Sequence, residues 1–328
     1  MANHHATTVL VTGAAGFVGL NIVRRLAMEG APVVALARRE PDAETRRFLA
    51  PVANLVRFVM GDVRDRAGLA ALAQREGVRR IVHGAAVTSA EAERADPASF
   101  VDVNLGGTLN VLEAARQIKA ERVVLISSSA VYGAPADPAR LIGEDDALQI
   151  GGMYTICKQA GEQLCRRYAE LYGLSAVAGR LGTAYGPMER PTESRATMSQ
   201  VHTLLHAALA GRQLHVYGAD RLRDVCYIDD VAEAFCGLAL AERLEHTIYN
   251  VSAGTAHSLR EIAGAIAALV PGPAWLPADT SDGADLVVRP PSERGPMSIE
   301  RLRAELGFAP HFTLQDGLAH YLAWLRAQ

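Results

Sequence analysis

Thr8-Val9-Leu10-Val11-Thr12-Gly13-Ala14-Ala15-Gly16-Phe17-Val18-Gly19 runs from a β-branched apolar segment through a glycine-rich turn into a helical pattern. Thr8–Thr12 predicts a strand. Gly16–Glu29 predicts a helix whose apolar stripe is Phe17, Leu20, Ile22, Val23 and Leu26. Gly13 permits a tight turn, Gly16 lets a pyrophosphate approach the backbone, and Gly19 lets the helix pack closely on the strand. The free N–H groups and positive dipole end of that helix would then face the anion. The spacing is Gly-x-x-Gly-x-x-Gly rather than Gly-x-Gly-x-x-Gly. Between this strand and this helix it predicts a dinucleotide site built from Gly13, Ala15, Gly16, Phe17 and Val18.

Further apolar runs follow at 33–37, 56–59, 81–82, 123–126 and 176–178, separated by helical patterns at 43–49, 66–76, 100–119 and 153–172. Strands that are apolar throughout and alternate with helices predict an α/β, Rossmann-like, doubly wound parallel sheet covered on both faces. The second half is less regular. Helices are predicted at 199–210, from an Asp229-Asp230 cap to Ala241, from Ser258 to Leu269, and over 299–326 with a break at 307–313. A strand is predicted at 248–251. The expected organisation is a dinucleotide-binding domain over 1–180, to which the chain returns at about 223–250. A smaller C-terminal α+β substrate lobe is drawn mainly from 181–328. It would lie over the carboxyl edge of the sheet, where ligands bind in open α/β folds.

The 328 residues are 49% hydrophobic and 21% charged, with a formal net charge of −3. No basic patch interleaved with aromatics is present, which argues against a nucleic-acid partner. Cys157, Cys165, Cys226 and Cys236 form no Cys-x-x-Cys pair, so reduced, partly buried thiols are expected. No apolar stretch is long enough to span a bilayer and Met1–Thr8 is short and polar, so a cytoplasmic protein with no membrane partner is expected. No metal is expected: His4-His5 sits at a terminus, and His202 and His206, four apart on a helix, lack a zincin glutamate.

The end of the second strand reads Leu36-Ala37-Arg38-Arg39, with no acid to receive a ribose 2′-hydroxyl. Arg38 and Arg39 suit a 2′-phosphate, so NADP is favoured over NAD. Asp62, after the third strand, is placed to meet the adenine amine. Tyr154 and Lys158 lie four apart, on one face of a helix, and Ser128 follows an apolar run. An ammonium beside a phenol favours the phenolate, so this trio suits moving a proton and a hydride at one carbinol carbon.

With these residues the chain resembles the extended short-chain dehydrogenase/reductases, specifically their NAD-dependent epimerase/dehydratase branch. The resemblance is carried by Thr12–Gly19, Gly61-Asp62-Val63, His83-Gly84-Ala85-Ala86, Val103-Asn104 with Gly107-Thr108, Ser127–Gly133, Tyr154 with Lys158, Tyr185-Gly186-Pro187, and Arg223-Asp224 running into Asp229-Asp230-Val231. It implies Tyr154 as general base or acid, Lys158 on the nicotinamide ribose, and Ser128 on the reacting oxygen, with Ser129 as the neighbouring candidate. It implies Val63, Ala85, Ala86, Asn104 and Ser127 around the cofactor.

Three departures limit the resemblance. Ser129-Ala130 stands where dehydratases of the branch carry an acidic pair, which disfavours 4,6-dehydration. Thr183 replaces an asparagine, and Arg289-Pro290-Pro291-Ser292 replaces Arg-Pro-Gly-Asp. Arg223 and Arg289 would grip a diphosphate or serve as salt-bridge partners between lobes, and Arg190 or Arg195 would read a carboxylate or phosphate in the substrate mouth.

The resemblance therefore implies hydride transfer at a secondary alcohol or ketone of a carbohydrate-like small molecule, of the sugar-nucleotide epimerase type. The alternative is net oxidation or reduction of a small polyol, sugar acid or ketone. A non-catalytic NADP-sensing module is the third reading. Homodimers are implied, through the apolar faces of helices 100–119 and 153–172.

Overall fold

The computed structural model describes residues 7–272, 275–288 and 293–328. In chain order the elements are β1 Val9–Thr12, α1 Phe17–Met28, β2 Val33–Ala37, α2 Ala43–Leu49, β3 Val56–Met60, α3 Arg66–Arg75, β4 Arg80–His83, α4 Ala90–Ala95, α5 Pro97–Val101, α6 Gly107–Gln117, β5 Arg122–Ser128, α7 Met153–Tyr172 and β6 Ala176–Leu181. The second half comprises β7 Thr183–Tyr185, α8 Gln200–Leu209, β8 His215–Tyr217, β9 Leu222–Arg223, β10 Val225–Tyr227, α9 Ile228–Leu240, β11 Ile248–Val251, β12 His257–Ser258, α10 Leu259–Leu269, β13 Leu276–Pro277, β14 Leu286–Val287, α11 Glu300–Leu306 and α12 Leu314–Arg326.

Seven strands form one parallel sheet in the order β11-β6-β5-β4-β1-β2-β3, the doubly wound arrangement that the alternating pattern predicts. Successive side chains of each strand feed opposite faces. Val9, Val11, Val33, Ala35, Val82 and Val124 join the core beneath α1 and α9. Leu10, Val34, Leu36, Ile81, Val123 and Leu125 join the one beneath α3, α6 and α7.

The second half of the chain shares the first of these cores. Tyr185, Leu204, Tyr227, Ile262 and Tyr321 are all part of it, and α8 and α12 pack on α10. Tyr185 and Tyr227 meet edge to face at 5.6 Å. These residues are therefore continuous with the core beneath α1 and α9.

Three local readings need correction. The helix expected from Phe100 starts earlier, at Pro97, and passes through a π-helical turn at Asp102–Gly106 before α6. That wider turn accompanies Asn104 reaching back to its neighbours, a tertiary demand that periodicity does not report. Helix α4 lies in a stretch given no element from sequence. Asp229-Asp230 does not cap α9: Tyr227 is its N-cap, and both acids lie inside the first turn. Asp230 instead accepts from the backbone N–H groups of His311 and Phe312.

The turn after β1 is tightly seated. A Cβ on Gly19 would run into the Gly13 carbonyl oxygen. Gly19→Ala is expected to lose roughly 1–3 kcal/mol by overpacking against backbone that cannot yield. The helix-propensity gain of about 1 kcal/mol does not offset this. Urea unfolding reads the change, and an unaltered midpoint would show that α1 has room to move off the turn.

Candidate functional site

Gly13 has φ +69°, and a Cβ there would stand 2.7 Å from the Ala85 nitrogen. Only glycine allows the β1 turn and the segment after β4 to close together in this way. Gly16 is the N-cap of helix α1 and supplies no side-chain cap, leaving the helix N-terminus open to a cleft that Gly13, Ala15 and Gly16 line. Val63, Ala85 and Ala86 line the same cleft. Phe17 is buried beneath it, with the Arg195 guanidinium 5.0 Å above its ring, and Val18 packs against the core.

Behind the cleft runs an ordered hydrogen-bond chain. Thr108 Oγ1 donates to the Asn104 carbonyl at 2.9 Å, so it accepts from His83 Nε2 at 3.1 Å. His83 Nδ1 therefore accepts from Thr12 Oγ1 at 2.7 Å, and Thr12 in turn accepts from the Ala85 N–H at 3.2 Å. Burial pushes His83 down to about 3, which keeps it neutral. Asn104 brackets the Val87 main chain, accepting from its N–H and donating to its carbonyl, both at 3.0 Å. It thus braces the cleft wall from behind.

At the end of β2, Ala37, Arg38 and Arg39 line the cleft, and Arg39 pairs with Glu193 across its mouth. Neighbouring carboxylates are occupied. Asp42 caps α2 through the Thr45 N–H at 2.8 Å, and Asp62 is held by Arg64 at 2.8 Å. Both carboxyls sit below their ordinary value: hydrogen bonds to Thr45 and Arg190 outweigh burial at Asp42, and Arg64 dominates at Asp62. Arg190 is a correction. It pairs with Asp42 at 2.9 Å and with Glu44, so it staples the segment after β7 to α2 at the cofactor cleft, away from the expected substrate mouth.

The residues with acid–base potential gather at the carboxyl end of β5. Ser128 ends that strand and its Oγ accepts from the Ala130 N–H at 3.2 Å. Burial raises the Tyr154 phenol above its ordinary value, against a hydrogen bond from Ser128 and the charges of Arg195 and Arg294. Lys158, 4% exposed, donates to the Ile126 carbonyl at 2.7 Å, with its Nζ 5.6 Å from the Tyr154 ring centre. Burial takes it down to about 8. The structure thus brings Ser128, Tyr154 and Lys158 together, but with these groups alone the phenol stays protonated at neutral pH. Ser127 faces inward and donates to Glu162 at 2.5 Å, so it works beneath Lys158 and not in the cleft.

Beside this trio lies a buried charge cluster that sequence reading saw only in part. Arg223 donates to Thr183 Oγ1 at 3.0 Å, while its Nε and one Nη have no partner among the described residues. Asp224 accepts from Ser252 at 2.5 Å and the Met297 N–H at 2.9 Å, and burial pushes it up to about 7. Arg294, missed from sequence, extends Nη1 to within 3.4 Å of Ser129 Oγ. The expected Arg289 and Ser292 lie outside the described residues. A basic residue just past the Arg-Pro-Pro-Ser stretch was the only available signal for Arg294. His202 and His206 stack at 4.0 Å, and the described residues contain no cluster fit to hold a metal.

The sequence profile of the NAD dependent epimerase/dehydratase family matches residues 9–252, and the chain belongs to that family. It is similar to a UDP-glucose 4-epimerase of Mycolicibacterium smegmatis, 32% identical over 97% of this chain and 98% of that protein. It is also 29% identical to a dTDP-glucose 4,6-dehydratase of Xanthomonas campestris, over 97% of this chain and 92% of that one. Among solved structures, MoeE5 in complex with UDP-glucuronic acid and NAD superposes with TM-score 0.79 at 29% identity, covering 98% of this chain and 99% of that one. Among the described residues, no helix is long and apolar enough to cross a membrane.

Asp224 gives a pH signature. Its folded-state pKa of about 7 exceeds the ordinary 3.8, so the native state binds the extra proton between these values. Its contribution to stability is full below the lower value and is lost as pH rises through the higher one. Asp224→Asn is expected to flatten that slope in denaturation curves taken across this range. An unchanged slope would place the titration elsewhere.

Proposed function

We propose that the protein is an NADP-dependent sugar-nucleotide epimerase, and that Ser128, Tyr154 and Lys158 carry out its acid–base step. The observation that carries this reading is the convergence of Ser128, at the end of β5, with Tyr154 and Lys158 on α7, the buried Lys158 lying one helical turn further along with its Nζ 5.6 Å from the Tyr154 ring centre. A bound nicotinamide ring supplies the hydride acceptor and, when oxidised, a positive charge. Tyr154, protonated with the protein's own groups alone, shifts toward the phenolate under such a charge. It then takes the proton of a ring hydroxyl while Ser128 holds the same oxygen. Lys158 is buried and close enough to hold a ribose hydroxyl in place of the Ile126 carbonyl. Once the sugar ring has turned over, Tyr154 would return the proton to the same oxygen, which Ser128 would still hold. Arg223 beside Thr183 is the candidate grip for the diphosphate.

The described site fits a dinucleotide through its uncapped helix N-terminus, the Gly13 turn and the Ala85–Ala86 wall. NADP is preferred because the β2 end offers Arg38 and Arg39, and the carboxylate nearest them, Glu193, is already paired with Arg39. Asp42 and Asp62 are committed to Thr45, Arg190 and Arg64. The Ser129-Ala130 pair lacks the acids that removal of water requires, which disfavours a 4,6-dehydratase. Thr183 favours a second reading, net oxidation or reduction of a smaller polyol, sugar acid or ketone. A homodimer through α6 and α7 is part of the proposal, supported by the exposed Leu109, Ile156, Leu171 and Tyr172 on those helices.

Incubation with NADP and UDP-linked hexoses tests the reading. An epimerase yields the epimeric sugar nucleotide with no lasting change in reduced-nicotinamide absorbance, whereas a net change would favour the second reading. Tyr154→Phe is expected to cut turnover roughly 100- to 10,000-fold, and a variant with full turnover would end the proposed role. Arg38→Asp should lower the preference for NADP over NAD by roughly 10- to 100-fold in cofactor titrations. An unaltered preference would remove Arg38 from the 2′-phosphate site.

A further inference from the structure

We propose, resting on the NADP reading above, that Glu193 sets the choice between NADP and NAD: its carboxylate holds Arg39 while no phosphate is present and yields it to the 2′-phosphate of NADP.

Glu193 reaches the β2 end on a loop with a closed base. Buried Glu189, just after β7, accepts from the Ser199 N–H at 2.6 Å and from Ser199 Oγ at 2.8 Å, so the chain leaves and returns at one point before α8. Arg195 pairs with the same Glu189 at 2.7 Å. Thr192 and Arg195 exchange backbone hydrogen bonds at 2.9 and 3.1 Å, with Glu193 and Ser194 as the two residues of the turn between them. Base and tip are both tied, so the loop presents Glu193 in one place.

The loop spans the mouth of the cofactor cleft. On one side Arg190 pairs with Asp42 and Glu44 and donates to Thr45 Oγ1 at 3.0 Å. On the other, Thr88 donates its N–H at 2.9 Å and its hydroxyl at 3.2 Å to the Ser194 carbonyl. Between these anchors the Glu193 carboxylate rests on Arg39. That hydrogen bond, with the charges of Arg39 and Arg38, holds its carboxyl below the ordinary value. The acid thus stands where the two arginines would meet an anion.

This placement makes Glu193 a competitor of one cofactor only. A phosphate monoester carries more charge than a carboxylate and offers a guanidinium more oxygens. The Arg39 and Glu193 side chains are 70% and 66% exposed, so water screens the pair and a stronger anion displaces it. Glu193 then remains beside the phosphate as a like charge. NAD brings an uncharged 2′-hydroxyl to the same place, which leaves Glu193 on Arg39.

The test titrates NADP and NAD separately into the wild-type protein, Glu193→Gln, Arg39→Gln and the double variant, by calorimetry. Glu193→Gln is expected to bind NADP roughly 3- to 10-fold more tightly and NAD no more tightly than the wild type. In the Arg39→Gln background the same substitution should give a smaller gain, because no ion pair is left to displace. A Glu193→Gln that binds NADP no more tightly, or that tightens both cofactors by one factor, overturns the inference. So does a gain that persists in full without Arg39. If the wild type still prefers NADP in either case, the cofactor reading stands. A wild type that prefers NAD, unchanged by Glu193→Gln, removes the inference and the NADP reading together.

Discussion

The buried ion pair between Arg180 on β6 and Glu162 on α7 holds the site in register. Their side chains are 4% and 1% exposed, and Arg180 reaches both Glu162 oxygens at 2.8 to 3.2 Å. The same guanidinium donates to Tyr132 Oη and the Glu144 carbonyl, and Tyr132 passes the contact to Asn250 on β11. Ser127 on β5 donates to Glu162 from the other side. One pair therefore joins three neighbouring strands to the helix that carries Tyr154 and Lys158. Removing either partner would leave a buried charge uncompensated, at a cost of about 3–5 kcal/mol. Because Glu162 is one turn beyond Lys158, α7 cannot rotate or slide without breaking it.

Charge in this protein is sorted by depth. The outer ion pairs, such as Arg167 with Glu170 and Arg303 with Glu300, lie at the surface and contribute little. The inner groups are different. Lys158, Arg223, Asp224 and Arg294 are each displaced by burial toward their neutral forms; Lys158 and Arg294 face the Tyr154 phenol, and Arg223 and Asp224 adjoin Arg294. Desolvation of this kind is expensive for a fold and useful for a site, because groups poised near neutrality respond strongly to a charged ligand.

Much of this was legible in sequence wherever the cause is local. The β1 turn shows itself through three glycines, and the structure gives Gly13 the positive φ and Gly19 the close approach that only glycine permits. Strand and helix periodicity likewise predicts the sheet, because each strand supplies two cores in alternation. The errors arose where a partner lies far along the chain. Asp230 looked like a cap for its own helix because its real partners are some eighty residues away. Arg190 looked like a substrate residue because its acids belong to α2. Arg294 was invisible for the same reason: nothing near it in sequence announces that it ends beside Ser129.

The chain of contacts from Ala85 through Thr12, His83 and Thr108 to Asn104 has a consequence of its own. Every hydroxyl and ring proton in it is already committed in one direction, and the last acceptor is a main-chain carbonyl that cannot pass a proton on. It is a brace and not a wire. A proton leaving Tyr154 has no route through His83, despite the imidazole lying behind the same cleft, and must exchange with solvent or substrate along the open side. The histidine that would ordinarily invite a relay mechanism here serves as a rigid strut between the glycine turn and the π-helical turn.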